Sequence, residues 1–189
     1  MHRKIIAVMI LNFLVGTQAY TQPEISGNWK SVHPEKTAAG NFIIREFFFA
    51  NSSWQVQATL YLDSAARLPV FTFRATGKYE VSKGSAKIKN VSNALFRFDK
   101  KYMTLRTRDS SLLIRFGLNR CNLVYLKESD ITDNGCSYYP SRNVCAQEFD
   151  LVSLSGRRLF LGARPANGGM CEISKRPVAL GLPLMRVTE

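Results

Sequence analysis

Histidine is scarce in this chain, with two residues among 189. One of them stands at position 2, so His33 is the only histidine within the body of the chain that could activate a nucleophile. The Gly-x-Ser-x-Gly motif of serine hydrolases and the glycine-rich loops that cradle phosphate are both absent. We therefore expect no enzyme and no cofactor. A barrel isomerase or hydrolase, the less favoured alternative, would have to use His33 or a buried tyrosine.

Acidic residues are also few, 14 against 26 lysines and arginines, which gives a formal charge of +12 at pH 7. A balance of this kind favours anionic neighbours such as heparan-type polysaccharide, an acidic membrane surface or an acidic protein. The ordinary alternative is a solvated basic exterior that serves solubility alone.

Long apolar runs are missing except near the N-terminus. Residues 5–15 form an apolar run that is too short to span a bilayer as a helix. Arg3 and Lys4 precede it, and Thr17 and Ala19 supply the small residues that a signal peptidase requires. The pattern predicts a cleaved signal peptide at residues 1–19, a secreted domain at 20–189 and no membrane anchor. Nucleic acid is then an improbable partner.

Four cysteines, all beyond position 120, remain in the predicted secreted domain. In an oxidising compartment they indicate two disulfides, with three possible connectivities. Sequential pairing would stabilise the fold by about 3 and about 3.5 kcal/mol. A zinc site is disfavoured because no Cys-x-x-Cys pair occurs and His33 stands alone. Asn51 and Asn90 begin Asn-x-Ser sequons, which predict glycosylated turns.

The hydrophobic pattern has a period of two residues. Apolar and polar side chains alternate over 54–62 and again over 71–81, as strands packed on one side of an antiparallel sheet do. Further strands are predicted at 42–50, 86–91, 94–98, 102–106, 111–116, 122–126, 148–154, 158–162 and 180–187, whereas 162–176 is predicted to be a long loop. No helical stripe follows the signal segment. We therefore expect an all-β fold of nine to eleven strands, a single antiparallel lipocalin-like β-barrel or a strongly curled half-barrel.

The predicted inner face is bulky and aromatic. Barrels of about eight strands are either filled by side chains or hold one small ligand, and alternation alone does not separate the two. Seven inward positions would line a pocket if one exists: Trp54, Val56, Leu60, Phe71, Phe73, Phe96 and Phe98.

Three ordered segments resemble the extracellular domain of the adenomatosis polyposis coli down-regulated family, the membrane-tethered Wnt inhibitors. The first is Gly-Asn-Trp-Lys-Ser at 27–31 followed by the run at 42–49; the second is Asp-Ile-Thr-Asp-Asn-Gly-Cys at 130–136. The third is Leu-Phe-Leu-Gly-Ala-Arg-Pro at 159–165, followed by Lys-Arg-Pro at 175–177. The resemblance spans nearly all of 27–187.

The resemblance implies a β-barrel with a hydrophobic pocket that binds lipid, including the acyl group of Wnt-type proteins. It also implies a disulfide between Cys121 and Cys136, while Cys145 and Cys171 remain for the second bridge. Another family bridge is missing, because Pro34 and a residue near Ala66 stand where the family has cysteine. The resulting hypothesis is a secreted lipid-binding barrel that damps Wnt signalling. The alternative is an interaction module that binds polysaccharide or a receptor through its basic face.

Overall fold

The computed structural model describes residues 24–82, 84, 88–165 and 169–187. The predicted signal peptide at 1–19 lies outside the described residues. Short 3-10 turns occur at Leu118–Arg120 and Ile173–Lys175. The regular elements are β1 (Gly27–Ser31), β2 (Glu35–Lys36), β3 (Phe42–Ala50), β4 (Ser53–Tyr61), β5 (Pro69–Ser82), β6 (Ser92–Leu105), α1 (Ser110–Arg115), β7 (Glu128–Asp130), β8 (Gln147–Ser155), β9 (Arg158–Leu161) and β10 (Leu184–Arg186).

Eight of these strands close into an antiparallel barrel. Their order is β1, β10, β9, β8, β6, β5, β4, β3, and the pairing of β1 with β3 completes the circle. The short strand β2 pairs with β3, and β7 pairs with the second half of β6. The prediction of an all-β antiparallel barrel is confirmed, and the barrel is closed rather than half open. Closure leaves no long unpaired edge among these eight strands.

The alternation on β4 and β5 sets the inside of the barrel. Trp54, Val56 and Leu60 are buried on the inner face, whereas Gln55 and Gln57 are partly exposed on the outer face. Each side chain of a strand points to the face opposite its neighbour, so the period of two separates a greasy interior from a polar exterior. The strands at 42–50, 148–154 and 158–162 are found close to their predicted bounds.

A β-bulge interrupts the pairing of β5 with β6. Gly77 pairs with Phe98 while Thr76 pairs with Lys100, so Asp99 is an extra residue on β6. The predicted strands at 94–98 and 102–106 are therefore one continuous strand rather than two. The bulge shifts the alternation, and both Phe98 and Lys101 are buried.

Two predicted strands are wrong. Residues 111–116 fall mostly in α1, because the Asp109 side chain accepts hydrogen bonds from the backbone N–H groups of Ser111 and Leu112 at 2.8 and 3.3 Å. Residues 122–126 form a loop with one isolated bridge to Leu105, since positive φ angles at both ends, 51° and 59°, interrupt extended backbone.

The bounds of two other predicted strands also differ. Residues 86 and 87 lie outside the described residues, and 88–90 form a bend and turn in front of β6. Of the predicted strand at 180–187, only Leu184–Arg186 is a strand, and Leu180 makes a single bridge to Gly162. The prediction of a loop after β9 is confirmed for the described part of 162–176, apart from the 3-10 turn at Ile173–Lys175.

Residues 106–146, which we call the disulfide lobe, connect β6 to β8. One disulfide, Cys121–Cys136, lies within the lobe, and the other, Cys145–Cys171, ties its end to the loop after β9. Both bridges are sequential, which confirms the two predicted disulfides. The lobe packs against the inner face of β5, so a part of the barrel interior is covered by loops and α1 rather than by strands.

Candidate functional site

All seven predicted pocket residues lie inside the barrel. Each of them is less than 9% exposed, which places them in one buried cluster that extends from β4 across β5 to β6. The structure therefore brings the predicted set together. Whether a ligand lies among them stays a prediction.

The interior aromatic rings form two groups. In the first group the Trp54 ring lies 5.0 Å from Phe96 and 5.4 Å from Phe98, and Phe49 lies 6.1 Å from Phe96, all in tilted or edge-on geometry. Aromatic rings prefer such arrangements over face-to-face stacking. The Trp54 indole N–H also donates to the Arg97 carbonyl at 3.0 Å. The rings of this group occupy the interior by direct contact with one another.

The second group joins the barrel wall to the disulfide lobe. The Phe73 ring stacks on Tyr139 with centroids 4.0 Å apart, and Phe71 meets Tyr139 and Phe116 edge-on at 6.0 and 6.4 Å. Burial raises the pKa of the Tyr139 phenol to about 12. Lobe side chains therefore occupy the space in front of Phe71 and Phe73.

A buried lysine, which sequence reasoning missed, lies beside the first aromatic group. The side chain of Lys101 donates to the carbonyls of Pro140 and Cys145 at 2.9 and 3.0 Å, and its ammonium lies 4.2 Å from the centre of the Phe98 ring. The residue is 2% exposed, and burial lowers its pKa to about 8. The apolar alternation that runs through Phe96 and Phe98 resumes one position out of phase at Met103. This shift is the sequence signal that Lys101 turns inward.

Two carboxylates on β8 also face the interior and were also missed. Glu148 stands opposite Phe96 and binds Arg164 through two hydrogen bonds of 2.8 and 2.9 Å. Asp150 is 5% exposed and accepts from the backbone N–H groups of Leu151 and Gly162 at 2.7 and 2.8 Å. Burial raises the pKa of Asp150 to about 6, even though these bonds oppose the shift.

The close contact with Asp150 requires glycine at position 162. A side-chain carbon on Gly162 would collide with the Asp150 carboxylate and with the ring of Pro177. The backbone N–H of Gly162 can therefore reach the carboxylate only while position 162 carries no side chain. The barrel interior thus combines a large aromatic surface with a few buried charged groups.

The described part of the chain contains no group of three metal-ligating side chains close enough to hold an ion. All four cysteines are in disulfides. Within the same residues no helix has the length and apolar composition needed to cross a bilayer.

The two predicted glycosylation sites lie in exposed positions. Asn51 is in the turn between β3 and β4, and Asn90 is in the turn that precedes β6. Both have positive φ, 48° and 62°, which asparagine tolerates better than most residues. Their modification stays a prediction.

Two neighbouring clefts lie on the outer face of the barrel, where β1, β3 and β4 run side by side. Their volumes are about 350 and 270 Å³. The linings of the two clefts share Lys30, Glu46 and Gln57, and we call the two adjoining clefts together the outer groove. Sequence reasoning missed it, because it is built from three strands and a wall contributed by a distant loop.

A known protein family matches this chain. The family model described as Adenomatosis polyposis coli down-regulated 1 matches residues 10–153, which is well over half of the chain. The chain belongs to this family, and the family resemblance predicted from the sequence is confirmed.

Proposed function

We propose that this chain is a secreted protein whose barrel binds a lipid or acyl chain, and that it damps Wnt-type signalling by sequestering a lipidated ligand. The observation that carries the proposal is the continuous buried aromatic wall inside a closed barrel, which comprises Trp54 and Phe96 at one end and Phe73 at the other. Membership of the family supports the same function. The two disulfides agree with an oxidising, extracellular environment.

Such binding can draw its free energy from buried apolar area and needs no catalytic polar side chain. Burying an acyl chain contributes about 0.8 kcal/mol per methylene, so a long chain supplies ample affinity through area alone. The interior rings touch one another, and an incoming chain therefore has to displace some of them. Tyr139 is the side chain that we expect to move, because it belongs to the lobe rather than to the barrel wall and covers Phe73.

Uptake of a fatty acid tests the proposal directly. Protein secreted from cells would be examined by native mass spectrometry for co-purified lipid, and purified protein by displacement of a fluorescent fatty acid. We expect Phe73→Arg to abolish uptake, since it puts a charge on the inner wall. Phe48→Arg is the matched control, because Phe48 lies on the outer face of β3 and is 46% exposed.

The outcomes separate clearly. Lipid uptake by the native chain and by Phe48→Arg but not by Phe73→Arg supports the proposal. The absence of both co-purified lipid and dye displacement in the native chain contradicts it. Equal uptake by both variants would mean that the ligand does not bind at the inner wall.

A second candidate function rests on the charge of the disulfide lobe. Five exposed cationic residues lie between positions 106 and 127, and no ion pair to them occurs within the described residues: Arg106, Arg108, Arg115, Arg120 and Lys127. Exposed cations without an ion-pair partner attract sulfated polysaccharide or an acidic receptor surface. Elution from heparin at high salt, together with no lipid uptake, would favour this function over the first. The double variant Arg115→Gln/Arg120→Gln would then elute at a lower salt concentration.

A further inference from the structure

Three large apolar side chains are exposed near one another at one end of the barrel. Leu68 ends the turn between β4 and β5, whereas Val124 and Leu126 belong to the loop that follows α1, and each is 55–56% exposed. Leu126 lines the same cleft as Pro69, the residue after Leu68, so the turn and the loop lie side by side. Single exposed apolar residues are ordinary, but a group of them marks a contact surface.

The loop holds Leu126 in a costly backbone conformation. Its φ is 59°, in the left-handed region that bulky residues rarely adopt. The loop is nevertheless fixed to the barrel, because the Leu126 N–H donates to the Leu105 carbonyl at 3.0 Å. The Arg108 guanidinium also lies over the Tyr125 ring at 4.4 Å. Backbone strain of this kind concentrates in segments that bind ligands, which points to a partner for the exposed Leu126 side chain.

Four cationic residues stand among the apolar side chains. Two of them are chain neighbours of Leu68 and Leu126, a third lines the cleft beside Leu126, and the fourth covers the Tyr125 ring. We call the three apolar and four cationic side chains together the rim patch: Leu68, Val124, Leu126, Arg67, Arg106, Arg108 and Lys127. In the part of the chain that the structure describes, Arg106, Arg108 and Lys127 form no ion pair.

The acidic residues of the same region are engaged within the protein. They are Glu46, Asp63, Asp109 and Glu128. Glu46 is paired with Lys30, and Glu128 with Arg74. Asp63 accepts two backbone N–H groups of its own turn at 2.9 and 2.8 Å and pairs with Arg67 at 3.7 Å, while Asp109 caps α1. With Lys30 and Arg74 counted, six cations stand against these four acids, so the region keeps a net positive charge.

The mixture of apolar and cationic side chains selects among anionic partners. A sulfated polysaccharide would satisfy the cations but leave the three apolar side chains in water. Protein interfaces gather apolar side chains at their centre and exclude lysine from it, whereas here cations directly adjoin Leu68 and Leu126. An anionic bilayer satisfies both kinds of side chain, because its headgroups attract the cations and its acyl region takes up the apolar groups.

The two predicted glycosylation sites lie at the other end of the barrel. Asn51 and Asn90 precede β4 and β6, whereas Leu68 precedes β5, which runs antiparallel to both of those strands. Sugars attached at either asparagine would therefore leave the rim patch free to approach a flat surface.

We propose that the rim patch binds the surface of an anionic membrane. Leu68, Val124 and Leu126 enter the outer part of the acyl region, and the four cations contact phosphate and carboxylate groups of the lipids. Long cationic side chains can keep their charge at headgroup level while their stems lie along apolar surface. The binding is peripheral and reversible, since it uses side chains of one turn and one loop. It does not depend on the acyl-chain site proposed above, which lies inside the barrel.

Co-sedimentation with lipid vesicles tests the proposal. The vesicles consist of phosphatidylcholine alone or of an equimolar mixture with phosphatidylserine. We expect the native chain to bind the mixed vesicles about tenfold more tightly or better, and high salt to weaken this binding. Val124→Asn/Leu126→Asn, which keeps every charge, and Arg67→Gln/Lys127→Gln, which keeps every apolar group, should each weaken it about fivefold or more.

Val187→Asn is the matched control for the apolar substitutions. Val187 is 47% exposed, and its N–H donates to the Asn28 carbonyl on the wall of the barrel, outside the rim patch. Its binding to the mixed vesicles should equal that of the native chain. Fluorescent fatty acid displacement is measured on the same variants and is expected to be unchanged, so failure of membrane binding and failure of acyl-chain binding are distinguishable.

Four results would overturn the proposal. The first is no binding to the mixed vesicles, and the second is equal binding to both kinds of vesicle. The third is native-like binding by Val124→Asn/Leu126→Asn, and the fourth is equal weakening by Val187→Asn. Retention on heparin or on an acidic protein without vesicle binding would assign the cations to that partner instead.

Discussion

The two faces of β4 differ in how their side chains are satisfied. On the inner face Trp54 contacts two phenylalanine rings and donates its indole N–H to the Arg97 carbonyl. On the outer face Gln55 and Gln57 have no side-chain hydrogen bond within the described residues. The inner face of β4 therefore holds the barrel together through side-chain contacts, whereas the amides of its outer face add no side-chain hydrogen bond to the fold. Substitutions on the two faces should therefore lower the free energy of unfolding by very different amounts.

Trp54→Ala is the substitution with the largest expected effect. Trp54 is 4% exposed, and truncating a buried aromatic side chain costs about 3–5 kcal/mol in the free energy of unfolding. Gln55→Ala, the neighbour on the outer face, is expected to change it by less than about 0.5 kcal/mol. Urea unfolding of both variants measures the difference. Similar losses for the two would show that the outer face also carries the stability of β4.

Removal of the Cys145–Cys171 bridge extends the comparison to the disulfide lobe. The bridge joins residues 26 positions apart, and the double variant Cys145→Ala/Cys171→Ala is expected to lose about 3.5 kcal/mol. Cys121→Ala/Cys136→Ala, which opens a shorter ring of separation 15, is expected to lose about 3 kcal/mol. Without the Cys145–Cys171 bridge, the Tyr139 side chain would leave the Phe73 ring more readily. Fluorescent fatty acid uptake that stays unchanged in the first double variant would contradict the proposal that Tyr139 has to move aside for an acyl chain.

The sequence predicted the inner face better than the outer groove. Alternation alone placed Trp54 and Phe73 inside because a strand packed on one side repeats every second residue. It missed Lys101, Glu148 and Asp150, since a charged residue in an alternating run is ordinarily assigned to solvent. The phase shift at Asp99 is the one local sign that Lys101 turns inward.

The helix α1 and the outer groove were missed for different reasons. Six residues are too few for a helical period, so α1 depends on the Asp109 cap and on packing of the lobe. The groove needs Lys30, Glu46 and Gln57 from three strands, and a wall from Tyr125, to lie together. Such an arrangement follows from strand order, which no local pattern encodes.

Gly77→Ala tests the bulge that turns Lys101 toward the inner face. A side-chain carbon at Gly77 would collide with the carbonyl group of Arg97, so the pairing of β5 with β6 has to shift. We expect a loss of roughly 1–3 kcal/mol in the free energy of unfolding, as for other overpacked sites. Gly169→Ala is the matched control, because nothing lies within 4 Å of its added carbon and its φ lies outside the left-handed region that favours glycine. Equal stability of the two variants would contradict the close approach at the bulge.

Lys101 sharpens the comparison between the faces through pH. Its folded pKa is about 8, below the ordinary 10.5, so between these values the unfolded chain binds more protons than the folded one. Stability therefore rises as pH increases from 8, by about 1–2 kcal/mol up to pH 9.5, and this contribution is lost as pH falls through 8. Lys101→Met is expected to flatten that rise, whereas Lys127→Met, at an exposed position, should leave it intact. Urea unfolding at a series of pH values measures the slopes. A rise of the same size in Lys101→Met would mean that the ammonium is as well solvated inside the barrel as outside, and the distinction between the two faces would then not extend to charge.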